Sequence, residues 1–440
     1  MVTGVTELAM DVLVLCKWTK RLCPLLFLVG FLAITHRLMS FQQSLLLQAG
    51  LLKPLLQISS STRFGNFLIT EQKQSFASSL SDTSPFLMST NRSNRAAEEK
   101  RVAVCLVGAA RAFELTGPSI KKYVLDVYDQ VDVFLHAPLD ENSYKFQLLK
   151  GHKRLASLRI FKPNTLPETQ LHKELLASTG SPNGIQGLLQ YFSLVEGCWD
   201  MITKYENEHI FKYQWIIRTR VDGYWSGPLP PLEHFINGYY FVPYGSQFGG
   251  FNDRLGIGDR STSQIALARL SLLSTIHHQG YRKLNSESAF KAQLESAKIK
   301  IKLEHFSFCV LSFRKYDWPL SGWDVPVVSI SSKGHLNGAK CRPCTPKLTG
   351  HEAKAVAESL QRSWSWPGPV YGLELCDAQT DWERNWENIF DKAAGREIAL
   401  IRKASLKQSK VNECIQQLSS FSEQWDVWDA PSPNTICTEN

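Results

Sequence analysis

Residues 213–223 read YQWIIRTRVDG, and this stretch decides the fold that the sequence predicts. The apolar run at its start is typical of a buried strand, and two arginines and an aspartate follow it just before Gly223. Ligands of α/β sheets collect outside the carboxyl ends of the strands, so a binding site is expected here. We interpret Asp222 as a ligand of a divalent cation, and Arg218 and Arg220 as partners of phosphate oxygens. The alternative is an aspartate that opens a turn, beside two ordinary surface arginines.

A parallel sheet is predicted around this strand. Residues 102–107 (VAVCLV) form a second uninterrupted apolar run, which leads into the small-residue turn 108–111 (GAAR). Apolar residues recur at helical spacing between 185 and 205, which indicates a long helix covering one face of the sheet. Alternating strands and helices of this kind indicate an α/β fold. Further strands are predicted at 131–135 and 157–161, and a helix opened by Gly117 and Pro118 is predicted at 119–127.

Downstream of Asp222 the same alternation continues. A loop is predicted at 244–259, because five of its residues are glycines. A loop of this kind near the carboxyl ends of strands is a candidate lid or acceptor-binding loop, and simple turn chemistry is the alternative. Strands are predicted at 239–243 and 306–313, and helices at 263–276 and 286–297.

Four motifs, taken in their order along the chain, resemble those of a known group of proteins. They are GAAR at 108–111, RTRVD at 218–222, FND with IGD at 251–259, and NSES at 285–288. Over residues 101–314 the chain resembles uncharacterised plant type II membrane proteins whose core looks like a GT-A glycosyltransferase. It is similar, more distantly, to bacterial surface-polysaccharide glycosyltransferases. The resemblance implies a Rossmann-like mixed sheet flanked by helices, and transfer of a sugar from a nucleotide-sugar donor to a glycan or glycoconjugate.

The resemblance also implies roles for charged residues. GT-A enzymes bind Mn²⁺ or Mg²⁺ on the donor diphosphate through an Asp-x-Asp pair after the fourth strand, and here Arg220 replaces the first aspartate. Asp222 alone would then hold the cation, or Arg220 would itself neutralise the diphosphate. Arg111 resembles the residue that contacts the donor phosphate or ribose, and a helix-capping or surface arginine is the alternative.

Three carboxylates are candidates for the general base that deprotonates the acceptor hydroxyl: Asp253, Asp259 and Glu287. A base must come within hydrogen-bond reach of the attacking hydroxyl, which sequence does not establish. The structural alternatives are an Asx turn for Asp253 and a charge favoured by the helix N-terminus for Glu287.

The N-terminal region predicts a membrane anchor. Residues 22–35 (LCPLLFLVGFLAIT) are apolar and uncharged, and three basic residues precede them. Extension to residue 41 gives the length of a thin-bilayer span, and the basic cluster fixes a type II orientation. A cleaved signal peptide and an organelle transit peptide are the alternatives. We predict a cytoplasmic segment at 1–21, a transmembrane helix at 22–41 and a stem at 42–100 that is polar from residue 59 onward, in the Golgi or endoplasmic-reticulum membrane.

The charge balance argues against a nucleic-acid partner. Residues 101–440 carry 39 Lys and Arg against 35 Asp and Glu, although the formal charge of the whole chain is +8. Nucleic-acid phosphates usually demand a clustered positive face, and the sequence has no basic run. The predicted partners are therefore the nucleotide-sugar donor, the acceptor glycan and the membrane.

Eight cysteines lie downstream of the predicted anchor, and an even number in a lumenal chain favours disulfides. Residues 341–344 (CRPC) could begin a zinc site, but no second close Cys or His pair follows at the usual spacing. Five of the eight lie beyond residue 339. We therefore expect one of these five to stay free or to pair with Cys105, Cys198 or Cys309.

The C-terminal segment 339–440 is predicted to be a cysteine-containing helical appendage to a 101–338 catalytic domain. It holds six of the twelve tryptophans, most of which are interpreted as packing anchors. Helical periodicity is found at 352–363, 381–406 and 411–421.

Two other functions stay open at this stage. A catalytically inactive carbohydrate-binding or scaffold protein is compatible with the missing first aspartate. A sulfotransferase is a lumenal enzyme with a phosphate-bearing donor, but it would need a phosphate-cradling loop after the first strand. Residues 108–111 fit that requirement poorly.

Overall fold

The computed structural model describes residues 101–316, 326–359, 365–368, 371–405 and 411–438. The predicted cytoplasmic segment, membrane anchor and stem, at 1–100, lie outside the described residues. Within the described part of the chain, no helix is both long and apolar enough to cross a membrane.

Among the described residues, eight strands form a large sheet and five form a small one. The large sheet contains β1 (Val102–Val107), β2 (Val131–Pro138), β3 (Leu155–Phe161), β4 (Trp215–Arg220), β6 (Tyr239–Pro243), β7 (Leu255–Asp259), β8 (Lys300–Glu304) and β13 (Trp425–Asp429). The small sheet contains β5 (Gly223–Trp225), β9 (Phe308–Leu311), β10 (Pro326–Ser329), β11 (Ala339–Arg342) and β12 (Leu375–Asp377).

Eleven helices surround the sheets in the described residues. They are α1 (Phe113–Ile120), α2 (Gln170–Leu175), α3 (Gly184–His209), α4 (Arg260–Leu267), α5 (Leu273–His278), α6 (Ser286–Ser296), α7 (Gly350–Ser359), α8 (Trp386–Ala394), α9 (Arg396–Ser405), α10 (Val411–Ser422) and α11 (Pro433–Thr438).

The strand order of the large sheet is β13-β3-β2-β1-β4-β7-β6-β8. The strands from β13 to β4 run parallel, β7 runs antiparallel to both of its neighbours, and β8 is parallel to β6. The predicted mixed α/β sheet flanked by helices is therefore confirmed. The chain adds β2 and β3 on one side of β1 and β4 on the other, so the direction of strand addition reverses between β1 and β4.

Both faces of β1 are buried, which explains its uninterrupted apolar sequence. Val104 and Leu106 belong to a core that includes Phe113 of α1. Cys105 belongs to the opposite face, under α3, where it forms a disulfide with Cys198. The long helix predicted from the 185–205 periodicity is thus confirmed as α3, and a covalent bond attaches it to the central strand.

This disulfide is expected to contribute about 4.5 kcal/mol to the free energy of unfolding, because it restricts the unfolded chain across a separation of 93 residues. The Cys105→Ala/Cys198→Ala double variant should lower the free energy of unfolding by that amount in equilibrium urea denaturation. The control is Cys414→Ala/Cys437→Ala, whose separation is 23 residues and whose loss should cost about 1 kcal/mol less. A larger loss in the control would contradict the chain-entropy argument.

The prediction of a glycine-rich loop at 244–259 is wrong for its last five residues, which form β7. Gly256 and Gly258 lie in this strand against the ring of Tyr240, and a Cβ atom at Gly256 would stand 2.1 Å from the Tyr240 hydroxyl oxygen. Here the glycines provide room for an aromatic ring, and the sequence alone does not distinguish this requirement from that of a turn.

Two helix predictions also need correction. The helix predicted at 119–127 begins earlier, since α1 starts at Phe113 and contains Pro118. The buried side chains of Phe113 and Leu115 compensate for the backbone hydrogen bond that proline cannot form. The single helix predicted at 263–276 is two helices, α4 and α5.

The C-terminal segment is helical only in part. Residues 339–440 contain α7 to α11 but also contribute β11 and β12 to the small sheet and β13 to the edge of the large one, beside β3. These strands are three to five residues long. Segments this short are too brief to show a period of their own, so their pairing depends on distant partners.

All eight cysteines of the described residues are paired, as predicted from their number. The segment beyond residue 339 contains five cysteines, so one of them is expected to stay free or to pair outside the segment. Cys341 pairs with Cys309, which lies outside it. The bonds are Cys105–Cys198, Cys309–Cys341, Cys344–Cys376 and Cys414–Cys437, with Cα–Cα distances of 6.2, 5.8, 6.1 and 6.0 Å.

Candidate functional site

The candidate site lies at the carboxyl ends of β1 and β4, where the direction of strand addition reverses. A crevice opens at such a switch because the connections leave in opposite directions. Gly108 follows the last residue of β1 and has a φ of +130°, a backbone conformation that residues with side chains rarely adopt. A Cβ atom at Gly108 would stand 3.0 Å from Val221. The first turn therefore packs closely against the chain that leaves β4.

Asp222 lies where the chain passes from the large sheet to the small one. On one side, the Val221 amide donates to the Val107 carbonyl of β1 (3.0 Å). On the other side, the Leu311 amide of β9 donates to the Asp222 carbonyl (3.1 Å), and Gly223 begins β5. Both sheets therefore fix the backbone of Asp222 at the floor of the crevice.

Arg220 and Asp222 form a two-point ion pair. Arg220 Nε donates to Asp222 Oδ1 (2.8 Å), and Arg220 Nη2 donates to Asp222 Oδ2 (2.5 Å). Burial acts to raise the pKa of Asp222, but Arg220 and then Arg254 outweigh it and hold that pKa below its ordinary value. The Asp222 side chain is thus a carboxylate directed at a guanidinium group, and 27% of its surface is exposed.

Three cavities meet at Arg220, and we refer to them together as the cleft. The cationic cavity has a volume of about 610 Å³ and contains Arg111, Arg220 and Asp222 in its lining. The apolar cavity, of about 600 Å³, shares these three residues. The Glu287 cavity, of about 450 Å³, shares Arg220 with both. The predicted convergence of Arg111, Arg220 and Asp222 on one crevice is therefore observed.

The cationic cavity contains three basic residues that sequence reasoning did not select: Arg254, Arg314 and Lys340. Arg254 follows the selected Asp253, while Arg314 and Lys340 belong to chain segments that long-range strand pairing brings to the cleft. No local pattern marks them. Together with Arg111 and Arg220 they make five cationic side chains, against the carboxylates of Asp140, Glu141 and Asp222.

The Glu287 cavity contains two of the three candidate bases, in different electrostatic environments. Burial and the neighbouring Asp253 carboxylate raise the pKa of Glu287 to about 7. Burial also acts to raise the pKa of Asp253, but Arg269 and Arg218 outweigh it and hold that pKa below its ordinary value. Glu287 is therefore the carboxylate whose protonation changes near neutral pH.

The backbone holds Glu287 closely. Its carbonyl accepts from the Phe251 amide (3.2 Å), and Asn285 caps α6, the helix in whose first turn Glu287 lies. Gly250 passes so near that a Cβ atom there would stand 1.9 Å from the Glu287 carbonyl oxygen. Two of the predicted loop glycines thus have different roles: Gly250 allows close approach, and Gly249 supplies a positive φ of 82°.

Two selected residues lie away from the cleft. Asp259 lies at the end of the large sheet where β4 begins, away from the cleft at the carboxyl end of β4. The reason is that β7 runs antiparallel to β4 and pairs Asp259 with Trp215, the first residue of β4. It caps α4, where its Oδ1 accepts from the Thr262 amide (2.9 Å). About five residues of strand, roughly 17 Å, separate it from Arg220. This position does not fit the predicted role of a base.

Arg218 is buried behind the cleft, since β4 continues three residues beyond the predicted apolar run. Its side chain lies under Tyr191, whose hydroxyl accepts from Arg218 Nη1 (3.4 Å), and it is 1% exposed. It does not line any of the three cavities. Direct contact with a phosphate is therefore not available to Arg218 in this conformation.

The side chains around Asp222 do not fit a divalent cation. Mg²⁺ and Mn²⁺ bind several oxygen ligands, whereas both carboxylate oxygens of Asp222 accept from Arg220. Among residues 101–438, wherever the structure describes them, no group of three or more His, Cys, Asp or Glu side chains could hold a metal ion.

Residues 97–440 match the family model described as a domain of unknown function (DUF7796), and this match spans most of the chain. The protein therefore belongs to that family. No curated protein matches the sequence. The family description assigns no reaction, so the resemblance to glycosyltransferases stays a prediction and the function has to be inferred from the cleft.

Proposed function

We propose that this protein transfers a sugar from a nucleotide-sugar donor to a hydroxyl group of a glycan or glycoconjugate. The observation that carries the proposal is the arrangement of the cleft, in which an apolar cavity, a cluster of cations and a carboxylate with a near-neutral pKa meet at Arg220. A nucleotide sugar has three corresponding parts: a base with largely apolar faces, a doubly charged diphosphate and a sugar whose anomeric carbon reacts.

The apolar cavity suits the nucleoside. Leu139, Phe161 and Leu166 supply apolar surface, and Asn164 and Gln190 line the same space with amide groups. An amide both donates and accepts hydrogen bonds, which is what recognition of a base edge requires. A volume of about 600 Å³ falls within the range of small-molecule sites.

The large sheet supports a GT-A-like core. The resemblance implies a donor over the first strands and a charged motif after the fourth. In the structure, the apolar cavity borders the ends of β1, β2 and β3, and the Arg220–Asp222 pair follows β4. Both features lie at the reversal of strand order, where ligands of open α/β sheets bind.

In the proposed reaction, the acceptor hydroxyl oxygen forms a bond to the anomeric carbon while the bond from that carbon to the phosphate oxygen breaks. The electron pair of the broken bond goes to the nucleoside diphosphate, whose growing charge Arg220 and the neighbouring cations stabilise. The acceptor proton goes to the Glu287 carboxylate. Asp253 is less suited as the base, because Ser286 donates to it and Arg269 lies 3.5 Å away.

The four disulfides found in the described residues support a lumenal location for this domain, since such bonds form in the secretory pathway and are rare in the cytosol. With the predicted signal anchor at 22–41, we propose a single-pass type II protein of the Golgi or endoplasmic-reticulum membrane.

Calorimetric titration of the full-length protein tests the proposed function. The ligands are UDP, GDP, ADP, inorganic pyrophosphate and 3′-phosphoadenosine 5′-phosphate. We expect at least one nucleoside diphosphate to bind at least about tenfold more tightly than pyrophosphate, because its base occupies the apolar cavity. Leu166→Asp, in that cavity, should remove this preference and leave pyrophosphate binding unchanged.

Other outcomes would favour the alternatives. Tightest binding of 3′-phosphoadenosine 5′-phosphate would indicate a sulfotransferase. Binding of oligosaccharides without binding of any nucleotide or of pyrophosphate would indicate a carbohydrate-binding protein.

A further inference from the structure

The cation site that the family motif implies does not match the side chains present. Arg220 engages both oxygens of Asp222. Asp140, another carboxylate of the cationic cavity, uses its Oδ1 to accept from the Asn142 amide (3.0 Å) and from the Ser143 hydroxyl (3.1 Å), which leaves its Oδ2 as one carboxylate oxygen without a protein donor among the described residues. The cavity holds five basic side chains against three carboxylates, so these residues are better suited to neutralise a diphosphate directly than through a carboxylate-bound metal.

Three separate chain segments bring cations to this place. Arg254 comes from the loop that leads into β7, and it is 7% exposed. Its Nη1 donates to the Ser365 hydroxyl (2.8 Å) and to the Gly338 carbonyl, which fixes the guanidinium in the wall between two cavities. Interactions that hold a buried arginine in one orientation create a permanent positive surface.

Lys340 reaches the same wall from β11. The neighbouring residues Ala339 and Cys341 point into the core, and Cys341 is bonded to Cys309. Because side chains alternate along a strand, Lys340 lies on the other face of β11, where it lines the cationic and the Glu287 cavities. Its Nζ lies 4.8 Å from the ring centre of Tyr316.

The cations lie close enough to oppose one another's charge. Burial, Arg254 and then Arg314 lower the pKa of Lys340 to about 7, although Glu287 acts in the opposite direction. Burial also lowers the pKa of Arg254. Positive charges that are partly removed from water and have like-charged neighbours are stabilised when a further anion binds beside them. The arrangement is therefore that of an anion site.

We propose that Arg254, Arg314 and Lys340, together with Arg220, bind the donor diphosphate directly, so that this site operates without a divalent cation. This inference rests on the proposed function and specifies how the leaving group is held. Asp222 then has a positioning role: it occupies two of the five N–H groups of Arg220 and leaves the other three for phosphate oxygens.

The test is titration of the full-length protein with inorganic pyrophosphate and with UDP or GDP, in EDTA and in Mn²⁺. We expect the dissociation constant of the nucleotide in EDTA to be within about twofold of that in Mn²⁺. Lys340→Gln and Arg314→Gln should each weaken binding of both probes about tenfold or more, and Lys340→Arg should restore most of it. Circular dichroism checks that each variant is folded. Arg314 is exposed, so Arg314→Gln tests the site without changing the packing of the protein interior.

Lys315→Gln is the matched control. Lys315 is adjacent to Arg314 but pairs with Asp381 at the surface (2.8 Å) and is 53% exposed, so its loss should not change binding. Binding that is lost in EDTA, or that survives both Lys340→Gln and Arg314→Gln, would overturn the inference and leave the proposed function standing. If neither pyrophosphate nor any nucleotide bound under either condition, both proposals would be wrong.

Discussion

Glu287→Gln is expected to lower the rate of sugar transfer about a thousandfold, or roughly 4 kcal/mol in activation free energy, while donor binding stays the same. Glutamine keeps the size of the side chain but cannot accept the acceptor proton. Burial and Asp253 place the pKa of Glu287 at about 7, which suits a base that works near neutral pH. The measurement is kcat with saturating donor, alongside calorimetric binding of the nucleoside diphosphate.

The pH dependence gives an independent readout. A general base acts in its deprotonated form, and Glu287 loses that form as the pH falls through about 7. We therefore expect kcat/KM of the wild-type enzyme to decline below about pH 7. Lys340 acts in the opposite sense, because it loses its positive charge as the pH rises through the same region. The residual activity of Glu287→Gln should lose the acidic decline and keep the alkaline one.

Glu295→Gln controls for the change of a carboxylate on the same helix. Glu295 lies on α6, 48% exposed, where it pairs with Lys291 at the surface (3.8 Å). Its substitution should leave the rate and the pH profile unchanged. A Glu287→Gln enzyme with the wild-type kcat would remove Glu287 from the mechanism and leave Asp253 as the remaining carboxylate of that cavity.

The sequence predicts features that depend on short, continuous runs of residues. The apolar runs at 102–107 and 213–217 indicated β1 and β4 correctly, and both strands end in the crevice as expected. The rule that ligands bind at the carboxyl ends of strands then predicts that Arg111, Arg220 and Asp222 lie together. These predictions succeed because each needs only one strand and its direction.

The errors concern direction and distance along the chain. The glycine-rich segment before Asp259 predicts a loop near the carboxyl ends of the strands, which would place Asp259 in the cleft. It forms β7 instead, and an antiparallel strand carries its last residue away from that edge. Lys340 and Arg314 were missed because strands of the small sheet, paired across long sequence separations, bring them in. Local patterns contain no information about such pairings.

Arg218 illustrates how a small error in a strand boundary changes a role. Side chains alternate across a strand, so Arg218 and Arg220 share one face of β4. The strand continues to Arg220, however, which leaves Arg218 one step further back, covered by Tyr191. The sequence motif does not distinguish the two arginines, but in the structure Arg218 is buried and only Arg220 lines the cleft.

Arg220→Gln is expected to lower kcat/KM about a thousandfold, roughly 4 kcal/mol, because Arg220 lines all three cavities and its guanidinium can contact the diphosphate in both the ground state and the transition state. Arg220→Lys should restore little of this loss. Lysine keeps the charge but cannot bind Asp222 at two points and a phosphate at the same time. The measurement is steady-state transfer together with calorimetric donor binding for each variant.

Arg159→Gln is the matched control, because Arg159 forms an ion pair with Asp429 at the sheet edge (3.4 Å) but does not line any of the three cavities. Its loss should leave kcat/KM unchanged. If Arg220→Lys were nearly as active as the wild type, charge alone would suffice and the fixed geometry of the Arg220–Asp222 pair would be irrelevant. Asp222→Asn separates the remaining possibilities. A defect that Mn²⁺ corrects would assign Asp222 to a metal, whereas a defect independent of Mn²⁺ assigns it to holding Arg220 in place.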